Sequence, residues 1–438
     1  MDLSRIRTNR GAVISIHFGR EIITTNIWYE YGWYVITDHD AIMKLIDIKN
    51  AEARGDYEKV QEIFDDIRYN FDVYRIGTPY RRDRASHSNL GRRGAPRPSS
   101  QTTTNPAVMY ILTEPSIERL TGENMNYDDI MRISQMKEQT FGIEIEMSQI
   151  SKQKACRVAA EFFGSTASYE PSYGHDSWIC RDRQGRVWIF QYDGSLCGSD
   201  TCELTSPILT YADMDTLQAL IRKLRAAGAK SSVRYNCGVH VHVRAQGHTP
   251  QTLKNLAIIM HDFERLLDKS IDVSQGRHSY CKFMNETFYD RLMRTTMNNS
   301  TLLTSTTQVN RSEDFVRFAN VWYGSQGESR GGHYNSTRYH ITNFHSVFNH
   351  GTVEFRLFEF KEPEGDRQNG LHAGEAKAFI QMALALNMLA KSAGVMTGIS
   401  HQELCNSEKN KMNAWLQALC MCGDEFATAR EYYTRRLS

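Results

Sequence analysis

The sequence predicts an α+β protein: an antiparallel sheet with helices on one of its faces, preceded by a small N-terminal α+β unit. Two observations predict the main part: short stretches in which apolar and polar residues alternate, and longer segments between them with apolar residues three or four positions apart. A third observation, a change of composition near residue 80, separates the N-terminal unit. The length of 438 residues leaves room for a sizeable buried core.

The composition excludes several classes of protein. No apolar run approaches the roughly eighteen residues that would span a bilayer, so a membrane protein is not expected. Lys plus Arg number 52 and Asp plus Glu 51, so no overall positive charge favours nucleic acid. The nine cysteines are scattered without a CxxC, unlike a disulfide framework or zinc ribbon. Because the N-terminus lacks a secretory signal, we expect a cytoplasmic protein.

The N-terminal unit is predicted to cover residues 1–80. The stretches "GAVISIHFG" and "IITTNIWYEYGWYVIT" are typical of strands, and residues 38–67 are typical of charged amphipathic helices. Residues 81–135 then form a linker and lead-in. It includes six arginines before Pro98 and a Ser/Thr/Pro tract, a composition typical of flexible connections, although the arginines could also contact a polyanion.

A catalytic domain is predicted over residues 136–395, with a C-terminal helical extension over 396–438. Two of its helices have clear start signals: Asp213 is a candidate N-cap, and Thr249 is another, followed by a proline in the first turn. A third helix is expected over about residues 370–392. Their apolar positions have the spacing of a packed face, and we assign them no chemistry.

Four predicted strands carry charged or ligating side chains on one face and apolar side chains on the other. Their sequences are "FGIEIEM", "DTCELTSPIL", "CGVHVHV" and "GTVEFRLFEF", and the polar positions are Glu144, Glu146, Glu203, His240, His242, Glu354 and Arg356. Any half-exposed sheet has one polar face. Here that face concentrates carboxylates and imidazoles, which together suit Mg²⁺ or Mn²⁺, and a guanidinium that can bind phosphate. The pattern therefore points to metal-assisted phosphoryl chemistry.

The ordered motifs resemble those of the amidoligase family, a branch of the glutamine-synthetase-like carboxylate–amine ligases. The resemblance rests on "FGIEIE", "DGSLCGSDTCELTSP", "CGVHVHV" and "GTVEFRLFE", together with "GRHSYCK" and "RYHITNF" between them. It covers about residues 136–395. It implies an antiparallel sheet that forms a funnel, with ATP entering at one end and Mg²⁺ or Mn²⁺ at the centre.

The resemblance also implies roles for individual residues. One ion would be held by Glu144, His240 and Glu354, and another by Glu146 and Glu203. Arg356 would stabilise the phosphoryl group and contact ATP. The remaining implied residues are Asp193 and His242 as catalytic or neighbouring groups, and Arg277 and Lys282 as nucleotide contacts. The implied reaction joins a carboxylate donor to an amine acceptor, each an amino acid, a peptide or a macromolecule, through an acyl phosphate.

Three alternatives remain open from the residues themselves. A metal-dependent amidohydrolase or peptidase would use the metals without ATP, and a catalytically inactive ligase fold would only bind. A zinc site formed by Cys237, His240 and His242 is a third reading. Against the zinc site, Cys237 would point away from the two histidines, because successive side chains of a strand alternate. The absence of a GxxxxGK[ST] motif agrees with a nucleotide site that has no P-loop.

Overall fold

The computed structural model divides into two compact units, residues 1–102 and 103–438. It describes residues 6–7, 13–18, 23–29, 32–36, 59, 62, 73–75 and 108–438, except 175, 197, 199, 325–334, 362–369 and 402–406. Of the predicted helical stretch 38–67, only Lys59 and Glu62 are described, both as helical. The arginine-rich part of the predicted linker lies outside the described residues.

The first unit contains a five-stranded antiparallel sheet in which neighbouring strands follow one another along the chain. The strands are β1 (Ile6–Arg7), β2 (Val13–Phe18), β3 (Ile23–Tyr29), β4 (Gly32–Ile36) and β5 (Val73–Arg75). Both stretches that the sequence predicts as strands fall within this sheet, which agrees with a small α+β unit.

The second unit contains ten strands and twelve helices among its described residues. The strands are β6 (Val108–Ile111), β7 (Phe141–Ser148), β8 (Ser168–Tyr169), β9 (Trp178–Arg181), β10 (Val187–Gln191), β11 (Thr201–Thr205), β12 (Val239–Arg244), β13 (Thr342–Asn343), β14 (Thr352–Phe358) and β15 (Met396–Ser400). The helices are α1 (Ile117–Thr121), α2 (Tyr127–Glu138), α3 (Lys152–Phe163), α4 (Met214–Ala226), α5 (Pro250–Ile271), α6 (Glu286–Arg294), α7 (Thr306–Arg311), α8 (Glu313–Tyr323), α9 (His345–Asn349), α10 (Ala373–Ser392), α11 (Glu408–Ala418) and α12 (Ala427–Thr434).

Eight of these strands form one antiparallel sheet in the order β13-β14-β12-β7-β11-β10-β9-β8. The four strands with ligating side chains are therefore consecutive neighbours, with β7 and β12 in the middle. Glu146 is paired with Glu203, Glu144 with His240, and His242 with Glu354. Because paired residues on one face of an antiparallel sheet are close neighbours, this register gathers the polar side chains into one patch.

Helices cover the apolar face of this sheet. The valines at 239, 241 and 243 are fully buried there, and α10 and α12 pack with α5 in the same layer. α10 is buried on nearly all sides because it packs against other helices and against β7 and β12. The predicted α+β class, with an antiparallel sheet and helices on one face, is confirmed.

Only one of the two predicted N-caps is used as expected. The Thr249 hydroxyl accepts a hydrogen bond from Thr252 N at 3.1 Å and starts α5. Asp213 stands at the N-cap of α4 but makes no capping bond to it. Its carboxylate instead accepts from the backbone and hydroxyl of Thr210 and from both terminal nitrogens of Arg186. A guanidinium that reaches both carboxylate oxygens competes successfully with a single backbone N–H.

A second, two-stranded sheet joins the two ends of this unit, because β6 and β15 pair in parallel. The described residues from 108 to 135 and from 396 onward thus share contacts with each other and with the helical layer. Tyr433 Oη, for example, donates to the carbonyl of Ala378 at 3.1 Å. No helix within the described ranges is both long and apolar enough to cross a membrane.

Candidate active site

The polar face of β7, β11, β12 and β14 forms the floor of a cleft. Every strand residue that the sequence singles out lies in this patch: Glu144, Glu146, Glu203, His240, His242, Glu354 and Arg356. Alternating polar and apolar residues are typical of a half-exposed sheet, but most of these side chains are buried and Glu354 is only 3% exposed. The loop after β10 and the 3₁₀ turns at 275–279 and 336–338 line the cleft above them.

One group of possible metal ligands consists of Glu144, His242 and Glu354, with one ligand atom from each lying within 4.8 Å of the others. His242 Nε2 is 3.3 Å from Glu144 Oε1 and 3.8 Å from Glu354 Oε1. It is buried and makes no well-directed hydrogen bond. A buried imidazole nitrogen without such a bond, facing two carboxylates, fits a cation ligand, since buried polar atoms normally have partners.

His240 lies beside the same group. Its Nδ1 is 2.9 Å from Glu144 Oε2 and 3.7 Å from Glu354 Oε1, and its Nε2 is 3.9 Å from Glu146 Oε1. The family resemblance implies that His240 is the ligand and His242 its neighbour. The structure brings both imidazoles to the carboxylates, so that division of roles stays a prediction.

A second group consists of Glu146, Asp193 and Glu203, again with ligand atoms within 4.8 Å of one another. Two of these carboxylates are held by neighbouring amides: Glu146 Oε2 accepts from Gly238 N at 2.6 Å, and Glu203 Oε1 accepts from the side chain of Gln191 at 2.6 Å. Asp193 follows β10 and accepts from Ser195 N at 2.6 Å. The "DGS" turn thereby aims its carboxylate at the pair on the sheet.

The carboxylates repel one another. Burial, followed by the charges of Glu144 and Glu146, raises the pKa of Glu203 well above its ordinary value. Burial alone would also raise the pKa of Glu354, but Arg356 and His242 outweigh it and hold that pKa at about 2. Positive charge from Arg356 and His242 therefore accompanies the first group, whereas the second group has an excess of negative charge that a cation would neutralise.

Two arginines flank the carboxylates. Arg356 donates through Nη1 to Glu354 and through Nε to the Tyr280 carbonyl at 3.4 Å. Arg277 donates through Nη2 to the Arg356 carbonyl at 2.7 Å, and its Nη1 lies 3.9 Å from Glu146. Both guanidiniums are thus fixed by the protein before any ligand arrives.

Two cavities open on either side of Glu144, which lines both. The first has a volume of about 540 Å³ and a polar wall that includes Asp193, Asn236, Arg277 and Arg356; we call it the polar cavity. The second has a volume of about 620 Å³; we call it the mixed cavity. Its lining combines apolar, hydroxyl and basic side chains, among them Pro207, Ile208, His242, Arg244, Leu303, Thr304, His350 and Thr352.

The structure separates the two residues predicted as nucleotide contacts from "GRHSYCK". Arg277 lines the polar cavity, whereas Lys282 is exposed and lines neither cavity. Their assignment to ATP stays a prediction. Cys237 is buried with its thiol directed to the Tyr235 carbonyl, and across the described residues no cysteine belongs to a ligand group.

Sequence reasoning missed several residues of the site. Arg338 and Tyr339 line the polar cavity from the turn at 336–338, and Asn236 lines it from the loop before β12. Arg338 and Tyr339 lie within "RYHITNF" and Asn236 immediately precedes "CGVHVHV", but none of the three belongs to an alternating strand pattern. Asn343, which donates to Glu354 Oε2 at 2.6 Å, was missed for the same reason.

Comparison with known proteins identifies the second unit. The model of the family described as "Putative amidoligase enzyme" matches residues 137–386. Among solved structures, a bifunctional glutathione synthetase from Pasteurella multocida is similar, with 13% sequence identity and a TM-score of 0.34. The match covers 71% of this chain and 49% of that one, so the chain spans about half the length of that protein.

A search of curated proteins gave no match. The family match extends over more than half of the chain and includes every strand that contributes to the polar patch. The chain belongs to the amidoligase family.

Proposed function

We propose that the protein is an ATP-dependent carboxylate–amine ligase, which phosphorylates a carboxylate and then forms an amide from the acyl phosphate. The observation that carries the proposal is the pair of adjacent ligand groups, Glu144/His242/Glu354 and Glu146/Asp193/Glu203, lying between two cavities. A ligase of this kind needs a phosphoryl donor and an acceptor on opposite sides of a charge-neutralising centre.

The ligand groups fit Mg²⁺ or Mn²⁺ by their chemistry. One group offers two carboxylates and an imidazole and the other three carboxylates, and neither contains a thiolate. Hard divalent cations prefer such oxygen-rich sets. When bound, the cations would supply positive charge to the phosphoryl oxygens during transfer.

The two cavities suit different substrates. The mixed cavity combines apolar side chains, which can contact a nucleotide base, with Arg244 and hydroxyl groups that can contact its sugar and phosphates. The polar cavity presents Arg277, Arg356 and the Asn236 amide, which suit a carboxylate and its neighbouring polar groups. We therefore assign the nucleotide to the mixed cavity and the carboxylate donor to the polar cavity.

The protein groups then have distinct tasks. Arg356, already bound to Glu354 and the Tyr280 carbonyl, is oriented toward the phosphoryl group and stabilises its charge without reorganisation. Arg277 donates to the Arg356 carbonyl and faces the donor, so this proposal replaces the ATP contact that the resemblance implies for Arg277. Asp193 is on a turn at the polar cavity and is the carboxylate best placed to take a proton from the incoming amine.

The test is an assay of the full chain with ATP, Mg²⁺, hydroxylamine and a panel of carboxylates that includes amino acids and peptides. The expected result is hydroxamate and phosphate formation that requires ATP together with one class of carboxylate. Glu354→Gln should lose this activity, while Glu161→Gln, an exposed change on α3, should keep it.

The main alternative makes the opposite prediction in the same experiment. A metal-dependent amidohydrolase would cleave amide substrates without ATP and form no hydroxamate in an ATP-dependent manner. That outcome would overturn the ligase proposal. Metal and nucleotide binding without turnover of any carboxylate or amide in the panel would instead indicate an inactive ligase fold.

A further inference from the structure

In the second ligand group, one oxygen of each carboxylate accepts a short hydrogen bond from an N–H of the protein. The three bonds, all 2.6 Å long, are Gly238 N to Glu146 Oε2, Gln191 Nε2 to Glu203 Oε1, and Ser195 N to Asp193 Oδ1. The other oxygen of each carboxylate accepts no hydrogen bond from the residues that the structure describes. The group therefore presents three open oxygens, one from each carboxylate.

Gln191 is the donor that the amino-acid sequence can change, because the other two donors are backbone amides. It is paired with Glu203 where β10 lies beside β11, so its amide group meets the carboxylate directly. Thr205 Oγ1 adds a longer contact of 3.3 Å to the same oxygen, Glu203 Oε1. The amide oxygen of Gln191 lies against Gly174, where a Cβ would be only 2.1 Å away from it. The Gln191 amide is thus fixed on both sides.

The number of oxygens that a carboxylate gives to a cation distinguishes Mg²⁺ from Ca²⁺. Mg²⁺ demands a near-octahedral arrangement and keeps several waters, whereas Ca²⁺ takes roughly six to eight oxygens and often binds both oxygens of one carboxylate. An oxygen that already accepts a charge-assisted hydrogen bond must weaken that bond to join the second kind of binding. Three such carboxylates therefore favour Mg²⁺, and the remaining positions around the ion are left for water and substrate.

We propose that Gln191 makes the second ligand group selective for Mg²⁺ or Mn²⁺ over Ca²⁺, because it limits Glu203 to binding a cation through one oxygen. Gln191 is a positioning residue, since it contacts Glu203 and acts on the cation only through that carboxylate. The inference rests on the proposed cation in this group.

Gln191→Met tests the proposal with a side chain of similar length that has no N–H. The measurement uses nucleotide-free Glu354→Gln protein, in which the Mn²⁺ that remains bound reports the second group. Mg²⁺ or Ca²⁺ displaces this Mn²⁺, and electron paramagnetic resonance measures the Mn²⁺ released. Partners of metal-binding side chains commonly contribute 10- to 100-fold to metal affinity, so adding Gln191→Met should raise the ratio of Ca²⁺ to Mg²⁺ affinity roughly tenfold. A general loss of packing would weaken the binding of both ions and leave the ratio unchanged.

Gly174→Ala reaches the same hydrogen bond from the other side, because its methyl group would displace the Gln191 amide. It should also raise the ratio, and it keeps the test decisive if Gln191→Met does not fold by circular dichroism. Gly276→Ala is the control, since a Cβ there would meet nothing within 4 Å, and it should leave the ratio unchanged.

Two results would overturn the inference: an unchanged ratio in folded Gln191→Met and Gly174→Ala proteins, or no Mn²⁺ binding by the Glu354→Gln protein. The ligase proposal is tested separately, by the hydroxamate assay of the wild type. A raised ratio together with failure of that assay would overturn only the ligase proposal, whereas an active wild type with an unchanged ratio in both variants would overturn only the role of Gln191.

Discussion

The guanidinium of Arg277 occupies the space in which any other residue at position 238 would have a side chain. A Cβ on Gly238 would lie 1.8 Å from Arg277 Nη1 and 2.2 Å from its Cζ. The same glycine donates its N–H to Glu146 at 2.6 Å. The missing side chain thus allows an arginine to lie directly against the backbone whose N–H holds the Glu146 carboxylate.

Gly238→Ala should therefore reduce ligase turnover by roughly 100-fold or more, since displacements of about 1 Å in a site cost that much. Overpacking of this kind should also cost about 1–3 kcal/mol of stability. Gly276→Ala is the control, because a Cβ there would meet nothing within 4 Å. Steady-state kinetics and thermal unfolding of both variants check the prediction, and comparable activity in the two would contradict it.

The two ligand groups predict two cations per chain, each lost by a different substitution. Glu354→Gln should remove the Mn²⁺ held by the first group, and Glu203→Gln should weaken the one held by the second. Titration of nucleotide-free protein with Mn²⁺ gives the stoichiometry. A single shared ion would instead be weakened by both substitutions, with a wild-type stoichiometry of one.

Glu203→Gln should also stabilise the metal-free protein. Burial and the charges of Glu144 and Glu146 raise the pKa of Glu203, which means that its ionised form is unfavourable in the folded state. The uncharged amide keeps the shape and removes the repulsion. We expect a higher unfolding temperature without metal, and a reversal of that order with saturating Mn²⁺. A lower unfolding temperature in the metal-free state would show that the carboxylates do not destabilise the fold.

A substitution in either cavity should raise the Michaelis constant of only one of the two substrates. Ile208 is 66% exposed in the mixed cavity, so Ile208→Asp should raise the KM for ATP severalfold with little effect on folding. Asn236→Ala in the polar cavity should raise the KM for the carboxylate instead. If Ile208→Asp raised the KM for the carboxylate and Asn236→Ala raised the KM for ATP, the assignment of the two cavities would be reversed.

Glu264 predicts a pH dependence of stability outside the site. Burial, partly offset by the N–H of Met284, raises the pKa of Glu264 to about 8. Because this value lies above that of the unfolded chain, the folded state keeps the proton that the unfolded state releases. The contribution of this group is fully present at acid pH and is lost as the pH rises from about 4.5 to about 8, by at most about 1.4 kcal/mol per pH unit.

Glu264→Gln should remove this dependence, since the amide oxygen can still accept from Met284 N. Relative to the wild type, the variant should gain several degrees of unfolding temperature between pH 5 and pH 8.5. Glu161→Gln on the exposed face of α3 should show no such gain. Parallel melting curves of wild type and Glu264→Gln at all pH values would contradict the prediction.

The alternation of residues in four strands was enough to predict the polar patch, because strand geometry alone decides which side chains share a face. It also predicted the apolar valines at 239, 241 and 243, which are fully buried. The order of strands could not be read in this way. The pairing of β7 with both β11 and β12 depends on long-range contacts that leave no local pattern.

The burial of the site residues could not be predicted from the sequence, for a related reason. Glu354 looks like an exposed residue in "TVEFR", yet it is only 3% exposed, and the loops that carry Asp193, Arg277 and Arg338 line the cleft beside it. Such loops have no periodicity, so their contribution to a site is set by the fold that brings them together. The departure of Asp213 from its expected cap is similar, since its partner Arg186 comes 27 residues earlier, in the loop before β10.

The order of the site residues along the chain has a consequence for synthesis on the ribosome. Glu144, Glu146 and Glu203 emerge before Arg277 and Arg356, so the nascent chain contains the mutually repelling acids before the guanidiniums that lie beside them. Strand β14, which brings Glu354 and Arg356 together, is the last of the eight strands in the large sheet to emerge. The sheet can therefore be completed around its carboxylates only after residue 358 has left the ribosome.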